Sequence, residues 1–284
     1  MTDSSSEPAT PAKDHGRAGR DLPAAIAVGV TLAATVVASL FFVKDLFVAV
    51  VIVALLVGMW ELKRAFSTAG IRIPILPVAF GGTAMLLSAF YTDMEAAAFA
   101  MALTVIATLV WRLADGADGF VRDVSAGVFV LAYLPLMGVF VLLLLDESDG
   151  PWRIVAFIVA TIASDIGGYI AGVLFGKHPM APTISPKKSW EGFTGSMLFG
   201  IGAGVAVVVL ALEGEWWAGV VLGAASVVMA TLGDLSESLI KRDIGIKDMG
   251  DLLPGHGGLM DRLDSLIMVA PVAWVVLHYL VPVA

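Results

Sequence analysis

Nine apolar stretches, each near the length that crosses a bilayer, follow one another with little chain between them. A helix needs about 20 mostly apolar residues to span about 30 Å of hydrocarbon. The stretches lie near Leu22–Val43, Leu46–Trp60, Ile73–Tyr91, Ala96–Trp111, Ala126–Leu145, Ile154–Phe175, Phe193–Leu212, Trp217–Leu232 and Leu263–Leu280. The second, fourth and eighth are short and the turn at Lys44-Asp45 is very tight, so eight or ten spans also fit the pattern. Charged residues make up only 15% of the chain, against roughly a quarter in a soluble domain. The expected fold is an all-α integral membrane protein, a polytopic bundle of about nine transmembrane helices.

Positive charge orients the bundle. With nine spans and a cytoplasmic N-terminus, fifteen of the seventeen Lys and Arg residues fall on the inner side, and only Lys44 and Arg153 fall outside. Lys/Arg asymmetry is what sets topology, and one slipped span would scramble the alternation. The outer turns are short and mostly acidic, with Asp93 and Glu95, Asp146 to Asp149, and Glu213 and Glu215. Trp60, Trp111, Trp152, Trp216 and Trp217 sit near span ends, where interfacial aromatics belong. The expected location is the cell's inner (plasma) membrane, multi-pass, with the working surface facing the cytoplasm.

The chain divides by kind. Residues 1–21 are polar, carry no apolar signal core and read as a disordered cytoplasmic tail. Residues 22–150 read as generic N-terminal transmembrane helices. Chemistry concentrates in 151–284, around two inner loops at 177–192 and 233–262. The chain has no cysteine, which excludes disulfides, thiolate metal sites and thiol nucleophiles.

The richest stretch is Ser238-Leu-Ile-Lys241-Arg242, then Lys247-Asp248, then Pro254-Gly-His256-Gly257-Gly258-Leu-Met-Asp261-Arg262-Leu-Asp264. Carboxylate oxygens suit Mg²⁺, which takes one or two carboxylates and leaves positions for substrate phosphates. Lys241, Arg242, Lys247 and Arg262 supply positive charge for anionic oxygens, and the glycines let backbone approach a ligand. Asp234 and Lys241, seven apart, share a helical face if the eighth span continues past the membrane, and Asp261 and Asp264 share one at the start of the last span. Each residue taken singly also fits a blander role, as a topology determinant, a lipid contact or a partner of the helix dipole. A second stretch runs Asp165-Ile-Gly-Gly168-Tyr169, Gly172, Phe175-Gly176-Lys177, then Ile184-Ser185-Pro186-Lys187-Lys188-Ser189-Trp190-Glu191-Gly192. An acid within an apolar span implies a partner or a water-filled cavity. Gly168, Gly172 and Gly176 recur every four residues, a spacing that favours close helix packing. Lys187 and Lys188 either clamp a triphosphate or hold the loop inside.

At these residues the sequence resembles the phosphatidate cytidylyltransferase (CDP-diacylglycerol synthase) family. The family pattern, Ser-x-apolar-Lys-Arg, four residues, Lys-Asp-x-small, two residues, apolar-Pro-x-His-Gly-Gly-apolar-x-Asp-Arg-apolar-Asp, fits Ser238 to Asp264 at every specified position without a gap. Phe-Gly-Lys and Ser-Pro-x-Lys-Ser/Thr-x-x-Gly elements upstream also match, with Gly195-Ser196 departing from a more usual Gly-Gly. The resemblance is strong over about the last 120 residues, and the first five spans match only in being hydrophobic. It implies transfer of a cytidylyl group from CTP to phosphatidate, giving CDP-diacylglycerol and pyrophosphate for phospholipid biosynthesis. It implies Mg²⁺, one or two ions with a monovalent cation left open, and carries the metal-binding aspartates over to Asp234 and Asp261. On this reading Asp234, Asp261, Asp264, Lys241 and Arg242 are catalytic. Substrate contacts are expected from Asp165, Ser185, Lys187, Lys188, Lys247, Asp248, His256, Gly257, Gly258 and Arg262. His256 is expected to organise the loop or donate to phosphate, since phosphatidate is already ionised and needs no general base. Expected partners are CTP, phosphatidate and membrane lipids, with no nucleic acid, and a homodimer like other members.

Three other readings compete. A CTP-dependent lipid kinase of the dolichol-kinase type would use the γ-phosphate and release CDP. Asp115-Gly116-Ala117-Asp118-Gly119 is superficially similar to the motif of CDP-alcohol phosphotransferases, but the Ala-Arg expected next and the spaced aspartates are missing. A transporter could use Asp165 as a cation site, yet the charged groups crowd one face and no inverted repeat is evident.

Overall fold

The computed structural model describes residues 22–250, 252 and 257–283. The expected tail at 1–21 and His256 of the signature loop lie outside these residues. The described chain contains nine long helices: α1 (Leu22–Phe42), α2 (Lys44–Thr68), α3 (Ile75–Tyr91), α4 (Met94–Leu113), α5 (Phe120–Asp146), α6 (Gly150–Phe175), α7 (Trp190–Ala211), α8 (Trp216–Asp243) and α9 (Met260–Leu280). Seven are long and apolar enough to cross a membrane, and α3 and the 29–42 part of α1 are shorter apolar helices. The protein is therefore an all-α polytopic membrane protein. A small antiparallel hairpin, β1 (Pro179–Ala181) and β2 (Ser185–Ser189), interrupts the helices between α6 and α7.

The helices run further than their apolar stretches. Expected spans ending at Trp60 and Leu232 continue as helix to Thr68 and Asp243. A hydropathy reading stops at the first charges, whereas the helix continues wherever one face stays buried. In α2, Glu61, Leu62 and Ala65 are buried while Lys63 and Arg64 are exposed. At 1.5 Å per residue the 28 residues of α8 reach about 42 Å, well past a 30 Å hydrocarbon layer. This overhang carries Glu237 and Lys241 beyond the apolar part.

Small residues set the helix spacing. A Cβ on Gly195 of α7 would fall 2.5 Å from the Gly167 carbonyl oxygen of α6, and one on Gly223 of α8 would fall 2.4 Å from that of Gly200. With lipid outside as apolar as the side chains within, such close approach is what drives helix association in a membrane. The helix α5 is continuous but contains a π turn at Ala132–Leu136, with Pro135 inside it, a usual response to a proline's missing N–H.

The two ends of the bundle are built differently. At the end where α1 meets α2, Lys44 donates to the Glu147 carbonyl (2.9 Å) and Tyr91 to Asp45 (2.6 Å). Arg153, 0% exposed, contacts Asp149 and donates to the Leu277 and Val281 carbonyls, closing the C-terminus of α9. The two basic residues that depart from the charge asymmetry are thus both fixed in tertiary contacts. At the opposite end, buried Arg112 pairs with buried Asp123 (3.0 Å) and donates to the carbonyls of Gly116 and Asp118. The Asp115–Gly119 loop is therefore wrapped around an arginine, a structural arrangement that accounts for its composition.

Candidate active site

The overhang of α8 and the first turn of α9 meet at the Arg112 end of the helices' alternation, and two close approaches bring them together. A Cβ on Gly233 would lie 2.5 Å from the Asp264 carbonyl oxygen, so only glycine lets α9 pass this near Asp234. One turn on, the Lys241 ammonium bridges Glu237 Oε2 (2.6 Å) and Asp261 Oδ1 (2.9 Å). Asp261 Oδ2 accepts from the amides of Gly258 (2.9 Å) and Met249 (3.2 Å), which folds the signature loop onto its own carboxylate. Gly257 holds a positive φ of 84°, a turn that disfavours any side chain. Asp264 is buried, and its Oδ1 accepts from the Ser265 amide (2.7 Å).

Beside this cluster a cleft of about 370 Å³ opens between α6, α7, α8 and the hairpin. Asp165, Ser185, Lys187, Lys188 and Asp234 line it together. The Lys188 ammonium pairs directly with the Asp234 carboxylate, so the hairpin reaches across to α8. A second hollow of about 470 Å³ adjoins it, sharing Gly168, Tyr169, Lys187 and Lys188 and adding Lys177 and Pro186. The hairpin is pinned by Glu191, which accepts from His178 Nδ1 (2.6 Å) and from the amides of Lys177 and His178 (3.2 Å each). Asp165 is within electrostatic reach of Asp234, Asp264 and Lys188. Its helix also exposes Ile166, Tyr169, Ile170 and Val173, so the cleft adjoins an outward apolar face.

Gly168 packs closely, as its spacing suggested, with its Cβ position 2.4 Å from Ser196 Oγ, and it lines the cleft as well. Ser196, the departure from Gly-Gly, donates to the Ser164 carbonyl across the helix pair (2.8 Å) and so is accommodated. Arg242, Lys247, Asp248 and Arg262 are exposed around the loop. Three residues escaped the sequence reading. Glu61 of α2 accepts from the amides of Leu259 (3.0 Å) and Met260 (2.7 Å). Among the described residues, one buried oxygen of Glu237, Oε1, has no hydrogen-bond partner, and neither has the Tyr133 hydroxyl, which lies in the π turn within electrostatic reach of Asp264 and Glu237. Glu237 stands four residues before Lys241, a pairing spacing visible in the sequence, and Glu61 is an acid amid apolar residues, a signal in its own right.

Among the described residues no group of three or more His, Asp or Glu side chains forms a ready-made metal site. The donors at hand are nevertheless carboxylate oxygens, the kind a hard divalent cation prefers. An ammonium already neutralises Asp234, and Glu237 Oε1 has no hydrogen-bond partner among the described residues. The donor set suits Mg²⁺ completed by substrate oxygens, and does not suit a protein-only cage.

A bundle of membrane helices that gathers carboxylates and lysines around a polar cleft at one end is a membrane-embedded enzyme of phosphate chemistry. Residues 23–280 match the model of the Cytidylyltransferase family. The chain is 44% identical to the phosphatidate cytidylyltransferase of Mycobacterium bovis over 95% of this chain and 92% of that protein. It is 43% identical to that of Mycobacterium leprae over 94% and 91%, and 35% identical to that of Pseudomonas aeruginosa over 82% and 88%. The chain belongs to the cytidylyltransferase family. The match extends through the first five helices, which lie outside the signature motifs.

Proposed function

We infer that this chain is a phosphatidate cytidylyltransferase, transferring the cytidylyl group of CTP to phosphatidate for phospholipid biosynthesis. The observation that carries the inference is the polar cleft, with Lys187, Lys188 and Asp234 facing one another beside an apolar helix face. It is suited to an anionic lipid headgroup and a nucleotide triphosphate meeting at the edge of the membrane. A phosphatidate oxygen attacks the α-phosphorus of CTP, a new P–O bond forms, and the bond from that phosphorus to the bridging oxygen breaks to release pyrophosphate. Both reactants are anions, so positive charge must be present before they can approach.

Lys187 and Lys188, on a hairpin that lines both hollows, supply that charge to the triphosphate, with Arg242 added from the end of α8. Lys241 fixes the Asp261 carboxylate. Asp165 orients the headgroup, while the acyl chains remain in lipid along α6. Asp234 and Asp261 would hold Mg²⁺, which when bound neutralises phosphate charge and keeps attacking and leaving oxygens in line. Fifteen of seventeen Lys and Arg residues fall on one side of the alternation, which supports a site on the cytoplasmic face of the inner membrane. A homodimer is the assembly we expect.

The test is purified protein in detergent with phosphatidate, Mg²⁺ and CTP labelled at the α-phosphate. Label should enter the lipid phase and should fail to do so with Asp261→Ala or a chelator. Release of CDP with γ-phosphate in the lipid would identify the lipid kinase instead. Label left in water, with helicity intact, would refute the reading.

A further inference from the structure

Glu61 lies late in α2, 1% exposed, and is separated by about two hundred residues from the loop it contacts. A buried carboxylate on an apolar helix is costly and needs partners. Its partners are neither lysine nor arginine among the described residues, but two backbone amides. Leu259 donates to Oε1 and Met260 to Oε2, at 3.0 and 2.7 Å.

These amides open α9. A helix leaves its first N–H groups without intrahelical acceptors, and the residue before α9, Leu259, offers no side-chain cap. Glu61 takes the place of that cap from another helix, with the negative charge that the N-terminal end of a helix dipole favours. The loop also closes on it from both flanks. A Cβ on Gly250 would fall 2.5 Å from Glu61 Oε1, and one on Gly258 would fall 2.9 Å from Oε2. The next amide, that of Gly258, goes to Asp261. Three successive amides are therefore divided between Glu61 and Asp261, and whatever moves one carboxylate moves the turn that carries the other.

We propose that Glu61 is a positioning residue for the transfer, holding the first turn of α9, and with it Asp261 and Asp264, in register with Lys241 and Asp234. The proposal rests on the cytidylyl-transfer reading and adds to it a role for the N-terminal helices. Glutamine at this position keeps the size but presents an NH₂ to one of the two amides, and alanine removes both acceptors.

The chain has no cysteine, so single cysteines can carry nitroxide labels without background. Leu252→Cys, on an exposed part of the loop, reports local motion. Thr92→Cys, in the α3–α4 turn at the far end, reports the bundle as a whole. We expect Glu61→Gln to lower kcat about tenfold and Glu61→Ala about a hundredfold, the scale of a misplacement near 1 Å. KM for CTP should stay within about threefold. The Leu252 label should gain mobility while the Thr92 label keeps its line shape. Unchanged kcat in Glu61→Ala overturns the proposal, whatever the labels do. Equal loosening of both labels also overturns it, because Glu61 would then be a general prop. An immobile Leu252 label with reduced kcat overturns it as well. Absence of transfer in the unmutated protein would refute the activity itself, while the paired labels still read the clamp.

Discussion

Lys241→Met should separate the two tasks of the bridging ammonium. Lys241 is 18% exposed and serves two carboxylates, Glu237 at 2% and Asp261 at 10%. Methionine fills nearly the same space, so the change removes charge and two charge-assisted hydrogen bonds with little loss of packing. Asp261 keeps the amides of Gly258 and Met249, but Glu237 loses its bond at Oε2 while Oε1 already has none. Breaking a buried pair from one side costs about 3–5 kcal/mol, and the partial exposure of Lys241 places this case near the lower figure. Replacing Glu237 as well, by Gln, removes the stranded charge, so the double variant should recover about 2 kcal/mol relative to additivity. Unfolding in mixed micelles with rising dodecyl sulfate, followed by circular dichroism, measures both quantities. Transfer activity should fall about a hundredfold or more in the single variant and should not return in the double, since Asp261 lacks its ammonium partner in both. A coupling energy near zero would refute the buried bridge, and full activity in the double variant would refute the role of Lys241 at Asp261.

Gly233→Ala should lower kcat about tenfold to a hundredfold with helicity unchanged, because its methyl meets backbone at 2.5 Å and must push α9 from α8; wild-type kinetics would show that this spacing is unimportant. Lys188→Ala should raise KM for CTP about tenfold, read from initial rates over a CTP series, and Lys187→Ala less, since only Lys188 pairs with Asp234. Arg153→Met should cost about 3–5 kcal/mol by stranding Asp149 and two carbonyls at the end of α9. Molecules that remain folded should keep kcat within about twofold, because the change lies at the opposite end from the cleft; a specific loss of kcat in them would contradict that separation.

The extent of each helix shows where sequence reading meets its limit. Apolar length marks that a helix crosses the membrane, since charged groups end the favourable run. It does not mark where the helix stops, because α2 and α8 continue on a buried face that only neighbouring helices create. Glu61 illustrates this limit. As an acid after Trp60 it reads as the end of a span, and only the packing of α2 against the start of α9 turns it into the cap of another helix. Glu237 is legible through its four-residue spacing to Lys241, but that spacing alone does not show that the pair is buried against Asp261.

Hydrophobic length and a 27-residue pattern of residue types are local properties, so the membrane class, a count of about nine helices and the family are all legible along the chain. Tertiary structure alone decided which of those residues meet. Lys188 reaches Asp234, Lys241 bridges Glu237 to Asp261, and Glu61 binds amides some two hundred residues away. Each of these contacts depends on how closely elements far apart in the chain approach one another. That approach is set by glycines such as Gly233 in α8 and Gly250 in the loop before α9, whose effect lies in the element they face and not in the sequence around them.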